Sequence, residues 1–312
     1  MTKTILALAV CLLLSAEAHT HDALSLDELM QAFGWDFDAV EITSEPVADG
    51  LHVLFGVGGN VAVSIGDDGV LVVDDQFPQV MPKIEKVIRK LGGRNIDFAI
   101  NTHWHFDHAE GNLALGPKGT WLVSQRNSRD MMLSDHIIDL VALQYEQKAY
   151  PTDALPHITY DDQMQMHFNG ERIDLLHAGP AHTTGDTAVV FRGANAVHLG
   201  DVFNNAGYPF IDAGNGGDLT GMIAFCRAVL DAIDTDTTVI PGHGPVASYE
   251  TLEAYIAMLE IMRFRIGAMV AEGKSLEEVV ANKPTRDFDE RFGDPANFVN
   301  RAYTSMAREL NQ

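Results

Sequence analysis

Cysteine is almost missing from this chain: two residues in 312, Cys11 and Cys226. Cys11 sits inside an N-terminal apolar run that reads as removable, so Cys226 is left without a partner and a disulfide-stapled scaffold is excluded. The neighbours of Cys226 (Ile223, Ala224, Phe225, Ala228, Val229, Leu230) make it a buried, inert thiol on a helix. Basic residues are scarce as well, 21 against 44 acidic, for a formal charge of −23. That balance excludes nucleic acid and anionic membrane surfaces as partners for the body of the protein. The apolar run Ile5–Leu14 is too short to span a bilayer. No phosphate-binding fingerprint occurs either. Gly56-Val57-Gly58-Gly59-Asn60 lacks the G-x-G-x-x-G spacing that leads into a helix, and it reads as a mobile hairpin loop. No short-period repeat is present.

What the chain does have begins with an export signal. Lys3 supplies a positive start, Ile5–Leu14 the apolar stretch, and Ala16-Glu17-Ala18 a small-x-small cleavage site. Residues 1–18 are therefore expected to be removed and the protein to be periplasmic or secreted. The alternative is a buried N-terminal helix. A lipid anchor on Cys11 fits poorly, because Val10 is bulky and the apolar run continues past it. The new N-terminus would be His19-Thr20-His21. A free amine with histidine in third place suits square-planar copper or nickel; a frayed, functionless tail is the competing reading.

Residues 19–50 read as an acidic lead-in with a helix at Leu26–Phe33. From residue 51 the pattern turns to β. Leu51–Phe55, Asn60–Ile65 and Val70–Val73 are short runs between glycine turns, feeding Asp74 and Asp75. Met81–Leu91 has helical spacing and a Gly92-Gly93 stop. Asp97–Asn101 and Trp121–Ser124 read as strands, and Met131–Tyr150 as helical, either packed on the core or walling a cleft. A second strand series follows at Ile158–Tyr160, Met164–Phe168, Ile173–Leu176, Ala188–Phe191 and Ala196–Leu199. Leu219–Ile233 is helical and Thr237–Ile240 is the last strand. Two strand series, each followed by helices, predict an α/β sandwich with helices on both outer faces. Residues 51–246 form that domain. Residues 247–312 are a C-terminal helical extension (Leu252–Val270, Leu276–Ala281, Ala296–Leu310) that either packs on the core, covers the site or builds a subunit contact.

The chemistry concentrates in Thr102-His103-Trp104-His105-Phe106-Asp107-His108. Three imidazoles and a carboxylate follow an apolar strand, at the strand end where open α/β sheets place ligands. Imidazole and carboxylate are donors that zinc prefers, though iron and manganese take similar sets. His103 and His105 leave an extended segment on one side, and Asp107 and His108 turn towards a neighbouring position, which suggests two adjacent metals.

This stretch resembles the HxHxDH signature of the metallo-β-lactamase superfamily. Downstream pieces match in order: Gly179-Pro180-Ala181-His182-Thr183-Thr184-Gly185-Asp186, then Leu199-Gly200-Asp201, then Pro241-Gly242-His243-Gly244. The resemblance implies an αβ/βα four-layer sandwich. It implies a first zinc on His103, His105 and His182, a second on Asp107, His108 and His243, and Asp201 bridging both. A carboxylate has two oxygens with which to span two cations. At the position of Asp74 it implies a supporting or folding role; a turn cap is the plainer reading of either Asp74 or Asp75. Thr183 and Asp186 are expected either to orient His182 or to serve as turn residues. Trp104, Phe203, Tyr208 and Phe210 are candidates for an apolar substrate pocket or for core. His177 and His198 read as satisfied core histidines, and His52, His136, His157 and His167 have no metal-like spacing.

Two cations about 3.5–4 Å apart would lower the pKa of a shared water and polarise the substrate oxygen, with Asp107 orienting the hydroxide or carrying a proton. The expected function is an exported zinc hydrolase that uses a metal-bridged hydroxide on a small ester, thioester, lactone or lactam. The alternatives are a β-lactamase proper and a non-catalytic metal-binding protein. Asp201 resembles the bridge of the glyoxalase II, lactonase and phosphodiesterase branches. Glutathione-binding basic residues are not evident at the C-terminal end, and export argues against a glutathione thioester. After Asp201 stand Asn204 and Asn205 rather than a lysine or arginine to grip a β-lactam carboxylate. The partner is a small-molecule substrate, with no nucleic acid and no membrane once the signal is removed. The oligomeric state is left open.

Overall fold

A computed structural model describes residues 23–310. The expected signal segment 1–18, Cys11 and His19-Thr20-His21 lie outside the described residues. In chain order the strands are β1 (Thr43–Ala48), β2 (Leu51–Phe55), β3 (Val61–Gly66), β4 (Gly69–Val73), β5 (Phe98–Asn101), β6 (Trp121–Gln125), β7 (His136–Asp139), β8 (Gln144–Gln147), β9 (Ile158–Tyr160), β10 (Gln163–Phe168), β11 (Glu171–Leu176), β12 (Ala188–Phe191), β13 (Ala196–His198), β14 (Thr238–Ile240) and β15 (Ala247–Ser248). They form a seven-stranded sheet in the order β1-β2-β3-β4-β5-β6-β9 and a six-stranded sheet running β10 to β15. β7 and β8 make a separate hairpin.

Side-chain alternation along single strands builds the layers. Leu71 and Val73 of β4 point inward, with Ile100 and Val123, and meet Ile173, Leu175, Val189 and Phe191 of the other sheet. Val70 and Val72 point outward to Met81, Ile84 and Ile88 of the helix Met81–Lys90. On the second sheet Val190, Val197 and Val239 point outward to helices Leu219–Ala232, Tyr249–Ala271 and Ala296–Glu309. The result is the expected order of helix, sheet, sheet, helix. Each such side chain taken out of water contributes about 1.5–3 kcal/mol.

The lead-in supplies both the helix Leu26–Phe33, closed by a Ser25–Glu28 capping box, and the edge strand β1, paired with β2. The C-terminal helices share one core with the second sheet: Leu252, Tyr255, Met262, Phe298 and Val299 cluster with Val190 and Val239. They are its outer layer. Among the described residues no helix is long and apolar enough to cross a membrane.

One segment departs from expectation. Met131–Tyr150 is not helical beyond Met132, where the helix Arg126–Met132 ends; the β7–β8 hairpin follows. Burial there alternates, with Ile138, Tyr145 and Gln147 inside, and Val141 at the hairpin turn has φ +69°. The period is two rather than 3.6, and the abundant Met and Leu concealed it.

Candidate metal centre

Five strand ends deliver the site. β4 runs parallel to β5. β11 and β13 both run antiparallel to β12, hence alike, and β14 runs parallel to β13. Asp74 follows β4, the His103–His108 stretch follows β5, and His182, Asp201 and His243 follow β11, β13 and β14. All seven residues singled out from the sequence as ligands come to one rim of the sandwich. Three groups have donor atoms within 4.8 Å of one another: His103, His105 and His182; Asp107, His108 and His243; and His103, His108 and Asp201.

Asp201 stands between the two halves. Its Oδ1 is 3.1 Å from His108 Nε2 and 3.4 Å from His243 Nε2, while Oδ2 is 3.7 Å from His182 Nε2. Asp107 Oδ2 is 3.2 Å from His243 Nε2 and 3.7 Å from His108 Nε2. The cluster is buried except towards His243, whose side chain is 25% exposed, so the opening lies on that side.

The outer nitrogen of each histidine tells what the inner one carries. His105 Nε2 lies 3.0 Å from Asp212 Oδ2, and His182 Nδ1 lies 2.8 Å from the Phe210 carbonyl. Both partners accept only, so these nitrogens hold the protons. With both rings neutral, the inner pair, His105 Nδ1 and His182 Nε2, face each other at 2.9 Å as lone pairs. Two lone pairs so placed repel unless a cation lies between them. Thr102 Oγ1 donates to Asp74 Oδ2 at 2.8 Å and so accepts from His103 Nδ1 at 3.0 Å. That leaves His103 Nε2 buried with no partner among the described residues. Asp74 Oδ2 also accepts from His108 Nδ1 at 2.7 Å. The donor set and its orphaned atoms fit divalent cations.

Electrostatics separate the halves. Burial, with His108, His182 and His105 nearby, holds the His103 pKa well below the ordinary imidazole range. Burial and His105 bring His182 down to about 4. Burial acts the same way on His108 and His243, but there the carboxylates outweigh it. Asp201, Asp107 and Asp74 raise His108 well above its usual range, and Asp201 and Asp107 raise His243 to about 10.

Close approach requires glycine at two points. A Cβ on Gly59 would overlap the His108 ring, and one on Gly242 would overlap Asp201 Oδ1. The glycine-rich loop before β3 is thus part of the site and is held firmly. Gly59 N donates to Asp107 O at 3.0 Å, Asn60 N to Gly242 O at 2.7 Å, and Asn60 Nδ2 to Pro241 O and Gly244 O at 2.8 Å. The expected mobile hairpin is instead a strap, because its exposed amides find carbonyls on the metal loops.

Asp186 binds Thr183 N and Oγ1, each at 2.8 Å, and does not reach His182; both are turn residues. Trp104 and Phe203 are buried core. Tyr208 stacks on Phe298 at 5.2 Å, away from the ligands, whereas Phe210 lies against His105 and His182. His198 is a satisfied core histidine, with Nε2 on Asn60 O at 3.0 Å. Asp212 escaped sequence reading. It lies in Ile-Asp-Ala-Gly-Asn-Gly-Gly, whose composition reads as a turn.

A family model described as the metallo-beta-lactamase superfamily matches residues 54–243. Solved structures agree on the fold. A metallo-beta-lactamase from Pontibacter korlensis superposes with a TM-score of 0.57 at 13% identity, over 70% of this chain and 99% of that one. The DIM-1 metallo-beta-lactamase gives 0.57 at 16% identity, over 71% and 98%. The FIM-1 enzyme from Pseudomonas aeruginosa, solved in a mono-zinc form, gives 0.56 at 19% identity, over 71% and 96%.

Proposed function

Because the chain belongs to the metallo-beta-lactamase superfamily and is a metal-dependent hydrolase, we propose that it is an exported zinc enzyme cleaving a small, uncharged ester, thioester or lactone. The observation that carries the metal reading is the convergence of five imidazoles and two carboxylates on one rim, with His105 Nδ1 and His182 Nε2 facing at 2.9 Å. His103, His105 and His182 would hold one cation, Asp107, His108 and His243 the other, and Asp201 would touch both. When bound, the cations supply Lewis acidity towards the scissile carbonyl and a lowered pKa for water.

The chain's own groups do the rest. Burial opposes ionisation of Asp107, but His108 and His243 hold its carboxyl below the usual range. As a carboxylate it would be placed to orient the attacking water and take its proton. That proton then goes to the leaving oxygen or sulfur as the acyl bond breaks. Phe210, partly exposed beside His105 and His182, offers an apolar surface to the acyl group.

The segments 56–60, 101–112, 136–147, 177–187, 199–218 and 241–248 contain no lysine or arginine. Arg301 and Arg308 reach these segments from the C-terminal helix, but they are engaged with Asp139 and with Ala213 O, Gly217 O and Asp218, so a β-lactam carboxylate or a phosphodiester would find no lysine or arginine on the ligand-bearing segments themselves. Export rests on the N-terminal signal pattern, and N-terminal mass spectrometry of the secreted protein tests it. A hydrolysis screen of metal-loaded protein across lactones, esters, thioesters, chromogenic β-lactams and phosphodiesters tests the substrate. Turnover confined to β-lactams would replace the reading with β-lactamase, and bound metal without any turnover would replace it with a metal-binding protein.

A further inference from the structure

The helix Tyr249–Ala271 is apolar on two sides. Leu252, Tyr255, Leu259 and Met262 face the core. The opposite side exposes Ala254, Ala257, Ile261, Phe264, Ala268 and Ala271. Phe264 is 78% exposed and Ile261 38%. Helices apolar all round are normally covered, and steps alternating between three and four residues are the a/d seam through which helices pair.

We propose that this face is a self-association surface on which a second copy of the chain docks through an antiparallel, two-fold helix pair. The partner is argued from self-complementarity. Between positions 254 and 264 the seam has two small residues (Ala254, Ala257) and two large ones (Ile261, Phe264). A two-fold axis beside Leu259 lays Phe264 on Ala254 of the second copy and Ile261 on its Ala257, then repeats both contacts by symmetry. Large thus meets small in each layer, as isologous interfaces require.

Charge follows the same axis. Facing flanks of antiparallel helices bring Arg263 beside Glu253 of the second copy, twice. Both side chains are on the exposed surface, and among the described residues neither has an ion-pair partner, whereas the nearby Glu260 is taken by Arg227. The seam from Ala254 to Phe264 is only about 15 Å long at 1.5 Å per residue, so the contact belongs to the weak, micromolar class.

Sedimentation velocity of the full protein between about 1 and 200 µM, a range chosen to bracket micromolar affinity, tests this. A reversible monomer–dimer equilibrium is expected. Phe264→Glu should raise the dissociation constant at least about tenfold, with an unchanged circular dichroism spectrum and melting curve, because the side chain is exposed. Arg263→Glu should weaken the dimer about fivefold, and Arg263→Glu combined with Glu253→Arg should restore it. A monomer throughout the range, or a dimer indifferent to Phe264→Glu, overturns the surface. Failure of the charge swap to restore association overturns the antiparallel register.

Discussion

Asp212 accepts from His105 Nε2 at 3.0 Å, on the ring edge opposite the one that faces His182. The carboxylate is itself fixed, because Asn215 donates to it from its backbone N at 3.2 Å and from Nδ2 at 3.0 Å. Asn215 Nδ2 also reaches Ile137 O, at 2.9 Å, in the β7–β8 hairpin. Asp212 thereby fixes the tautomer and angle of one ligand in one half of the site. Asp212→Ala should weaken metal binding at that half by about 10–100-fold and leave the other half close to wild type. Competition titration with a chromophoric chelator resolves the two steps; equal weakening of both would count against this role.

Asp74 supports both halves at once, His108 directly and His103 through Thr102. Its backbone has φ +62°, a conformation that aspartate tolerates better than most residues. Asp74→Ala should therefore lower metal content at both positions and cost more activity than Asp212→Ala. The metal-to-protein ratio after dialysis checks it.

Removing a ligand outright is more severe. His105→Ala should abolish hydrolysis and lower bound metal. Gly242→Ala should do nearly as much from outside the ligand set, because the added methyl overlaps Asp201 Oδ1. A Gly242→Ala enzyme with full kcat and full metal content would show that Asp201 is free to move aside.

Away from the metals, Asp174 takes ion pairs from Arg172 and Arg192, both at 2.7 Å. Arg172, despite some burial of the carboxylate, holds the Asp174 pKa below its usual range, helped by Arg192 and Gln165. A depressed folded-state pKa means stability that is present above the unfolded value, near 3.9, and lost as pH falls through the folded one. Both arginines are partly exposed, at 49% and 33%, so Asp174→Asn should cost only about 1–2 kcal/mol at neutral pH. The gap between the two proteins should begin to narrow below roughly pH 4 and close only as pH falls through the depressed folded-state value, so it is smaller at pH 3 than at pH 7. Urea melts at pH 7 and pH 3 measure both.

The layers and the rim were legible because they rest on local signals. Continuous apolar runs in β4 and β12 show two buried faces, and strand ends followed by His, Asp and Gly show where ligands gather. What the sequence concealed depends on contacts between distant segments. Asp212 reads as a turn residue until folding places it against His105, 107 positions away. Gly59 reads as loop flexibility until His108 fills the space over it. Met131–Tyr150 reads as a helix because leucine and methionine suit either structure, and only the alternating burial of Tyr145 and Gln147 separates a hairpin from a helix.

The most direct test is anomalous diffraction from crystals of the zinc-loaded protein, measured at the zinc edge. Two peaks are expected at the rim, one bounded by His103, His105 and His182 and the other by Asp107, His108 and His243. Asp201 should lie between them, with ligand distances of about 2.0–2.2 Å. No peak among these side chains, or metal bound only elsewhere on the protein, would contradict a metal-dependent site at this rim.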